Sequence, residues 1–239
     1  MSKIKELVKR TKKLYSQERA IHSKYFFKTW PGQYGEGDIF WGLSVPEMRQ
    51  IAKEYVDLEL KDVKVLIADK VHELRLIGLT ILVEQYQKAK TDLERQKLYK
   101  FYLINRGGIN NWDLVDLSVY KLMGDYLVRF PKERVILDKL IKSKNMWDRR
   151  LAMISTMAFI RNGESEIVTY LAEKLLLDKE DLMHKASGWM LRELGKRQPV
   201  KLLVFLDTHG SKMPRTMLRY AIERLSDSDR QHYLKNTKI

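Results

Sequence analysis

Scarcity of turn residues limits this chain's fold more than any other feature. Only twelve glycines and five prolines serve 239 residues, so long stretches run without a break and a many-turned β architecture is disfavoured. From Leu43 onward the apolar residues recur mostly at helical intervals. Met48, Ile51, Ala52 and Tyr55 form one stripe, and Val168, Leu171, Ala172 and Leu175 form another at i, i+3, i+4 and i+7. Val135, Leu137, Leu140 and Ile141 follow more loosely. No window sustains the alternation of a half-buried strand.

Helix starts are equally legible. In Ser44-Val-Pro46-Glu47 the serine caps and the proline sits in the first turn, Thr91-Asp-Leu-Glu94 reads as a capping box, and Pro131 and Pro199 each open a helix after a short break. The expectation is an all-α fold.

A weak repeat emerges when these helices are superposed. Segments beginning at His72-Glu-Leu-Arg75, Trp112-Asp-Leu-Val115, Trp147-Asp-Arg-Arg150 and His184-Lys-Ala-Ser187 each open an apolar helix, at spacings of about 40, 35 and 37 residues. These are the intervals of helical-pair repeats that build α-solenoids. Equivalent first turns would then line one groove, offering N–H groups and the positive ends of their dipoles to a phosphate backbone. The one long irregular stretch, residues 29–42, is rich in glycine but lacks a Walker lysine and a flanking strand. It reads as a structural loop joining an N-terminal helical pair to the repeats. No linker divides the chain, so residues 1–239 are read as a single domain.

Charge points to the partner. Lys and Arg total 45 against 31 Asp and Glu, a formal net charge of +14. Such an excess favours a polyanion, nucleic acid first and an anionic membrane second. With 44% hydrophobic and 32% charged residues the composition is globular. There is no cysteine, which excludes disulfides, thiolate metal sites, iron–sulfur clusters and a Cys nucleophile. No signal pattern precedes the basic amphipathic opening (residues 1–13), and no apolar run approaches membrane-spanning length. A cytoplasmic protein that works without metal or cofactor is expected.

The most informative segment is Asn110-Asn-Trp112-Asp-Leu-Val-Asp116. On a helix Trp112 and Asp116 are i, i+4 neighbours, so an indole and a carboxylate leave one face of an otherwise apolar stretch. A plain structural reading competes: Asp113 would favour the helix dipole and Asp116 would bridge to a lysine. Two later segments add to the pattern. Trp147-Asp-Arg-Arg150 sets paired guanidiniums at a helix start, and Ser187-Gly188-Trp189-Met-Leu-Arg192 places a second indole three residues before an arginine, with Gly188 allowing close approach.

These segments carry a family resemblance. Asn111-Trp-Asp-Leu-Val-Asp116, Asn145-Met-Trp-x-Arg-Arg150 and Lys185-Ala-x-Gly-Trp189-x-Leu-Arg192-Glu resemble, in order and spacing, motifs of the AlkD-type DNA alkylation repair glycosylases. Leu43-Ser-Val-Pro46-Glu-x-Arg49 and Met213-Pro-Arg215-Thr-Met-Leu-Arg219 resemble the flanking pieces, so the resemblance covers nearly the whole chain. The glycine-rich insert before Leu43 is longer than in the best-known members.

The resemblance implies a solenoid of HEAT-like repeats with a basic concave groove. It also implies excision of N3- or N7-alkylated purines from double-stranded DNA. No lysine stands out as a Schiff-base nucleophile, so monofunctional excision without strand cleavage is expected, and a solenoid with polar ends is expected to be a monomer. Trp112 and Trp189 would pack against the deoxyribose with Asp116 beside them. Arg150 would hold a nearby phosphate, and Arg49, Arg192, Arg215 and Arg219 would be further backbone contacts. The alternatives are a non-catalytic helical-repeat nucleic-acid-binding protein and a scaffold for acidic proteins; both use the charge and leave the aromatic–carboxylate set idle.

Overall fold

Helices begin where a side chain can satisfy their first N–H groups. At Ser44 the hydroxyl accepts from the Glu47 N–H while the Glu47 carboxylate accepts from the Ser44 N–H at 2.7 Å. Thr91 and Glu94 repeat the exchange at 3.2 and 3.0 Å. Pro199 stands in the first turn of its helix, where the missing N–H has no partner to lose. The structure, a computed structural model, describes residues 2–235. Over these residues it is all helical apart from a single parallel bridge between Ile39 and Val71.

The chain forms two compact units, residues 1–118 and 119–239. The first holds α1 (Lys3–Lys13), α2 (Gln17–Phe26), α3 (Val45–Glu54), α4 (Leu60–Ile67), α5 (His72–Lys88), α6 (Asp92–Ile104) and all but the end of α7 (Trp112–Val119). Helix α5 is its axis. It is buried on every side from His72 to Leu79 and packs against α3, α4 and α6, burying Leu74, Ile77, Leu79, Ile81 and Leu82 to 1% exposure or less. Each such side chain contributes about 1.5–3 kcal/mol on leaving water, so α5 is anchored by burial rather than by intrinsic helical preference.

The second unit holds α8 (Asp125–Arg129), α9 (Val135–Ile141), α10 (Met146–Arg161), α11 (Glu166–Lys174), α12 (Asp181–Arg197), α13 (Pro199–His209), α14 (Arg215–Ala221) and α15 (Asp227–Lys235). Its axis is α10, buried without interruption from Arg150 to Met157 and packed against α9, α11 and α12. Helix α12 packs in turn on α13 and α14. Gly188 permits the last contact: a Cβ there would lie 2.4 Å from the Met217 carbonyl oxygen and 2.5 Å from the Tyr220 Cβ. Among the described residues no helix is long and apolar enough to cross a membrane.

Candidate functional site

Helix α7 sorts its residues by face. Leu114, Val115, Ser118 and Val119 are buried, whereas Trp112, Asp113, Asp116 and Leu117 are half-buried. Trp112 and Asp116 therefore share the half-exposed face, as their spacing predicts.

Both ends of α7 are pinned. Near its C-terminal end the buried Tyr102 hydroxyl and Ser118 Oγ lie 2.9 Å apart, tying α7 to α6. At its start the Asn111 side-chain Oδ1 accepts from the Trp112 main-chain N–H at 2.8 Å, and the Asn111 Nδ2 donates to Asp38 at 3.1 Å. The Trp112 indole stacks on Phe27 at 5.4 Å and meets the edge of Phe26 at 5.8 Å.

Beneath the indole lies a network of ionisable side chains. His72, 2% exposed, is held between two carboxylates: Nδ1 lies 3.1 Å from Asp38 and Nε2 lies 2.8 Å from Asp113. Arg75, also buried, donates to Asp38 at 2.6 Å and to the carbonyls of Asp69 and Lys70. Burial alone would pull the imidazole pKa down. The charge and hydrogen bond of Asp113 and the hydrogen bond to Asp38 outweigh burial and the opposing Arg75 charge, and lift it to about 9. For Asp38, burial is likewise overcome, chiefly by the His72 hydrogen bond and the Arg75 charge, and its pKa falls below the usual carboxylate value. At neutral pH the centre thus holds two cations against two carboxylates.

The network explains the glycine-rich loop. Glu73, buried beside His72, accepts N–H groups from Trp41, Gly42 and Leu43 at 3.0, 2.7 and 3.3 Å. The His72 N–H donates to the Ile39 carbonyl at 2.8 Å. The first turn of α5 therefore clamps the loop at several points; Phe40 stacks on the imidazole and on Phe27, which lies tilted against the imidazole at 4.9 Å. A spacer between helices, as read from the sequence, is thereby also the floor of the Trp112 site. Asp113 takes the helix-start role of the plain reading, its Oδ1 accepting the Leu114 N–H at 2.8 Å in the first turn of α7, and its other oxygen adds His72 as a partner.

Sequence reasoning did not find His72, Asp38 or Arg75 as a set. One signal is present: His72-Glu-Leu-Arg75 leads directly into the run from Leu76 to Val83, whose only polar side chain is Thr80, and three ionisable groups at the head of such a run require buried partners.

The remaining expected residues distribute as follows. Arg49 on α3 is exposed. In the second unit, Arg150 is 4% exposed and donates to the Leu182 carbonyl at 2.7 Å, which braces α10 against the first turn of α12. Its neighbour Arg149 pairs with Asp178 at 2.6 Å. Trp189 is half-buried, with its indole N–H directed to Glu193 at 3.3 Å. Arg192 pairs with Glu223. Arg215 and Arg219 are exposed on α14, and Arg215 donates to the Leu234 carbonyl at 2.9 Å. Trp112 and Asp116 thus belong to one pinned helix face, whereas Trp189 and Arg192 stand among carboxylates on α12 and just beyond α14.

Among curated proteins none matches the chain significantly. A solved structure described as a predicted DNA alkylation repair enzyme from Enterococcus faecalis is similar at 16% identity, over 89% of this chain and 97% of that one, with a TM-score of 0.71. At that identity the likeness is one of fold. The family model described as DNA alkylation repair enzyme matches residues 7–225, and the chain belongs to the DNA alkylation repair enzyme family.

Proposed function

We propose that the protein is a monofunctional DNA glycosylase that hydrolyses the N-glycosidic bond of cationic N3- or N7-alkylated purines in duplex DNA. The observation that carries this reading is the pairing of Trp112 and Asp116 on the half-exposed face of a helix fixed at both ends. A protein that only coats phosphate has no use for a carboxylate there.

The chemistry suits these groups. An alkylated purine is already positively charged, so when the bond from C1′ breaks its electron pair neutralises the base, and no acid is required. Positive charge then develops on the sugar until water adds at C1′ and releases a proton. A carboxylate at Asp116 has the right sign to stabilise that sugar, and the Trp112 face favours a cation through its quadrupole. At about 4 Å and an effective dielectric of about 20, one such charge pair is worth on the order of 4 kcal/mol. Realised only in the transition state, it accelerates the reaction nearly a thousandfold.

Trp189 is assigned a second sugar contact, and the helical pairs of each unit are read as HEAT-like repeats presenting cations to phosphate. Arg49, Arg215 and Arg219 are the exposed arginines for that role. Arg192 reaches phosphate by exchanging its Glu223 partner. Arg150 is buried, so its contribution combines bracing with any phosphate contact.

The test is mass analysis of free base released from duplex DNA carrying 7-methylguanine. Release of 7-methylguanine with an intact strand is expected; tight binding without release would leave a non-catalytic nucleic-acid-binding protein.

A further inference from the structure

Three large aromatic side chains face water within six residues of the chain. Tyr25, Phe26 and Trp30 are 65%, 56% and 46% exposed, a density that marks an interaction surface rather than ordinary scatter. The backbone holds them there at a cost. Lys28, directly after α2 and Phe27, has φ of 50°, in the left-handed region that lysine rarely enters. Hydrogen bonds on both sides enforce that conformation. The Lys28 N–H reaches the Tyr25 carbonyl at 3.3 Å, the Thr29 N–H reaches Lys24 at 3.2 Å, and the Gly35 N–H returns to Lys28 at 3.2 Å. Gly35 is needed for this return, since a Cβ there would sit 2.2 Å from the Phe27 carbonyl oxygen. The reversal brings Trp30 edge-on to Tyr25 at 5.5 Å, and Phe26 continues the surface to Trp112.

Charge complementarity selects the occupant. Lys24 and Lys28, both exposed, border the rings, and lysines interleaved with fixed aromatic faces suit a single-stranded nucleotide, whose base stacks while its phosphate is neutralised. We propose that Tyr25, Phe26 and Trp30 form a stacking platform for an unpaired nucleobase of the bound DNA, adjoining Trp112. This rests on the reading that the protein binds DNA, but not on the glycosylase chemistry.

The test uses unmodified DNA, so excision plays no part in it. Binding of the full chain to a short paired duplex is compared with binding to the same duplex carrying one extrahelical thymidine. The same comparison is made with the Tyr25→Ala/Trp30→Ala double variant, whose side chains are exposed and whose melting is measured alongside. The wild type should prefer the extrahelical thymidine by about tenfold, with quenching of indole emission. The double variant should lose that preference and keep its affinity for paired duplex. Equal affinities in the wild type, or a preference that survives in the double variant, would overturn the proposal. So would a wild-type dimer that the double substitution dissociates, which would give the surface to a second copy of the chain. Absence of 7-methylguanine release would count against the glycosylase reading alone.

Discussion

Trp112 and Trp189, the two indoles that the motifs single out, stand in contrasting surroundings. Trp112 is backed by aromatic rings over a buried network in which His72, Arg75, Asp38 and Asp113 neutralise one another. Trp189 is attended by Glu193, and Arg192 nearby is paired with Glu223, in contacts that remain partly open to water. Buried networks are rigid, and breaking one partner leaves an uncompensated charge. Water-exposed pairs are weak and exchangeable. On the proposed reading, the first region would be organised before DNA arrives, whereas in the second a phosphate would replace Glu223 as the partner of Arg192.

Substitution at His72 should have the largest effect on stability. His72→Ala leaves Asp113 without its cation and is expected to cost about 3–5 kcal/mol, read as a lowered denaturation midpoint. An effect below about 1 kcal/mol would mean that the network does not hold the first unit together. The pH dependence sharpens the point. Because the folded imidazole titrates near 9 rather than 6.5, its contribution is complete below pH 6.5 and is lost as pH rises through 9. It amounts to on the order of 3 kcal/mol. The stability gap between wild type and His72→Gln should therefore narrow across that interval; a constant gap would place the proton elsewhere. The depressed Asp38 works at the opposite end, its contribution disappearing only in acid.

Arg150→Ala and Arg219→Ala divide bracing from phosphate binding in the second region. Loss of the buried Arg150 should destabilise by about 2 kcal/mol, through the Leu182 carbonyl and the packing it supports. Loss of the exposed Arg219 should leave melting unchanged and reduce the slope of log affinity against log salt by about one unit. Unfolding and salt-series binding measured on both variants separate the roles. The smallest effect expected is that of Glu223→Gln. Removing the Glu223 charge leaves Arg192 its longer pairing with Glu193 at 3.7 Å, and should change stability by less than about 1 kcal/mol and tighten DNA binding severalfold. If Glu166→Gln, a charge removal on α11, tightens binding as much, Arg192 is not a phosphate contact.

Much of this molecule could be read from the chain alone because the relevant physics is local. The Ser44 and Thr91 caps, the stripe from Val168 to Leu175 and the shared face of Trp112 and Asp116 all depend on residues within two turns of one another. The network does not. His72 meets Asp38 and Asp113 across 34 and 41 residues, and Asp38 lies in a loop whose composition signals only irregular backbone. Arg150 was obscured for a related reason. Two adjacent arginines at a helix start suggest that one turns to solvent, yet long-range packing gives Arg149 the Asp178 carboxylate and Arg150 a main-chain carbonyl.

The central claim is that Asp116 stabilises a cationic sugar beside Trp112. Its most direct test is Asp116→Asn, with 7-methylguanine release and duplex affinity measured on the same preparation. Release should fall by about two to three orders of magnitude while affinity stays within about threefold of wild type. Near-normal release by that variant would remove the carboxylate from the reaction and contradict the account.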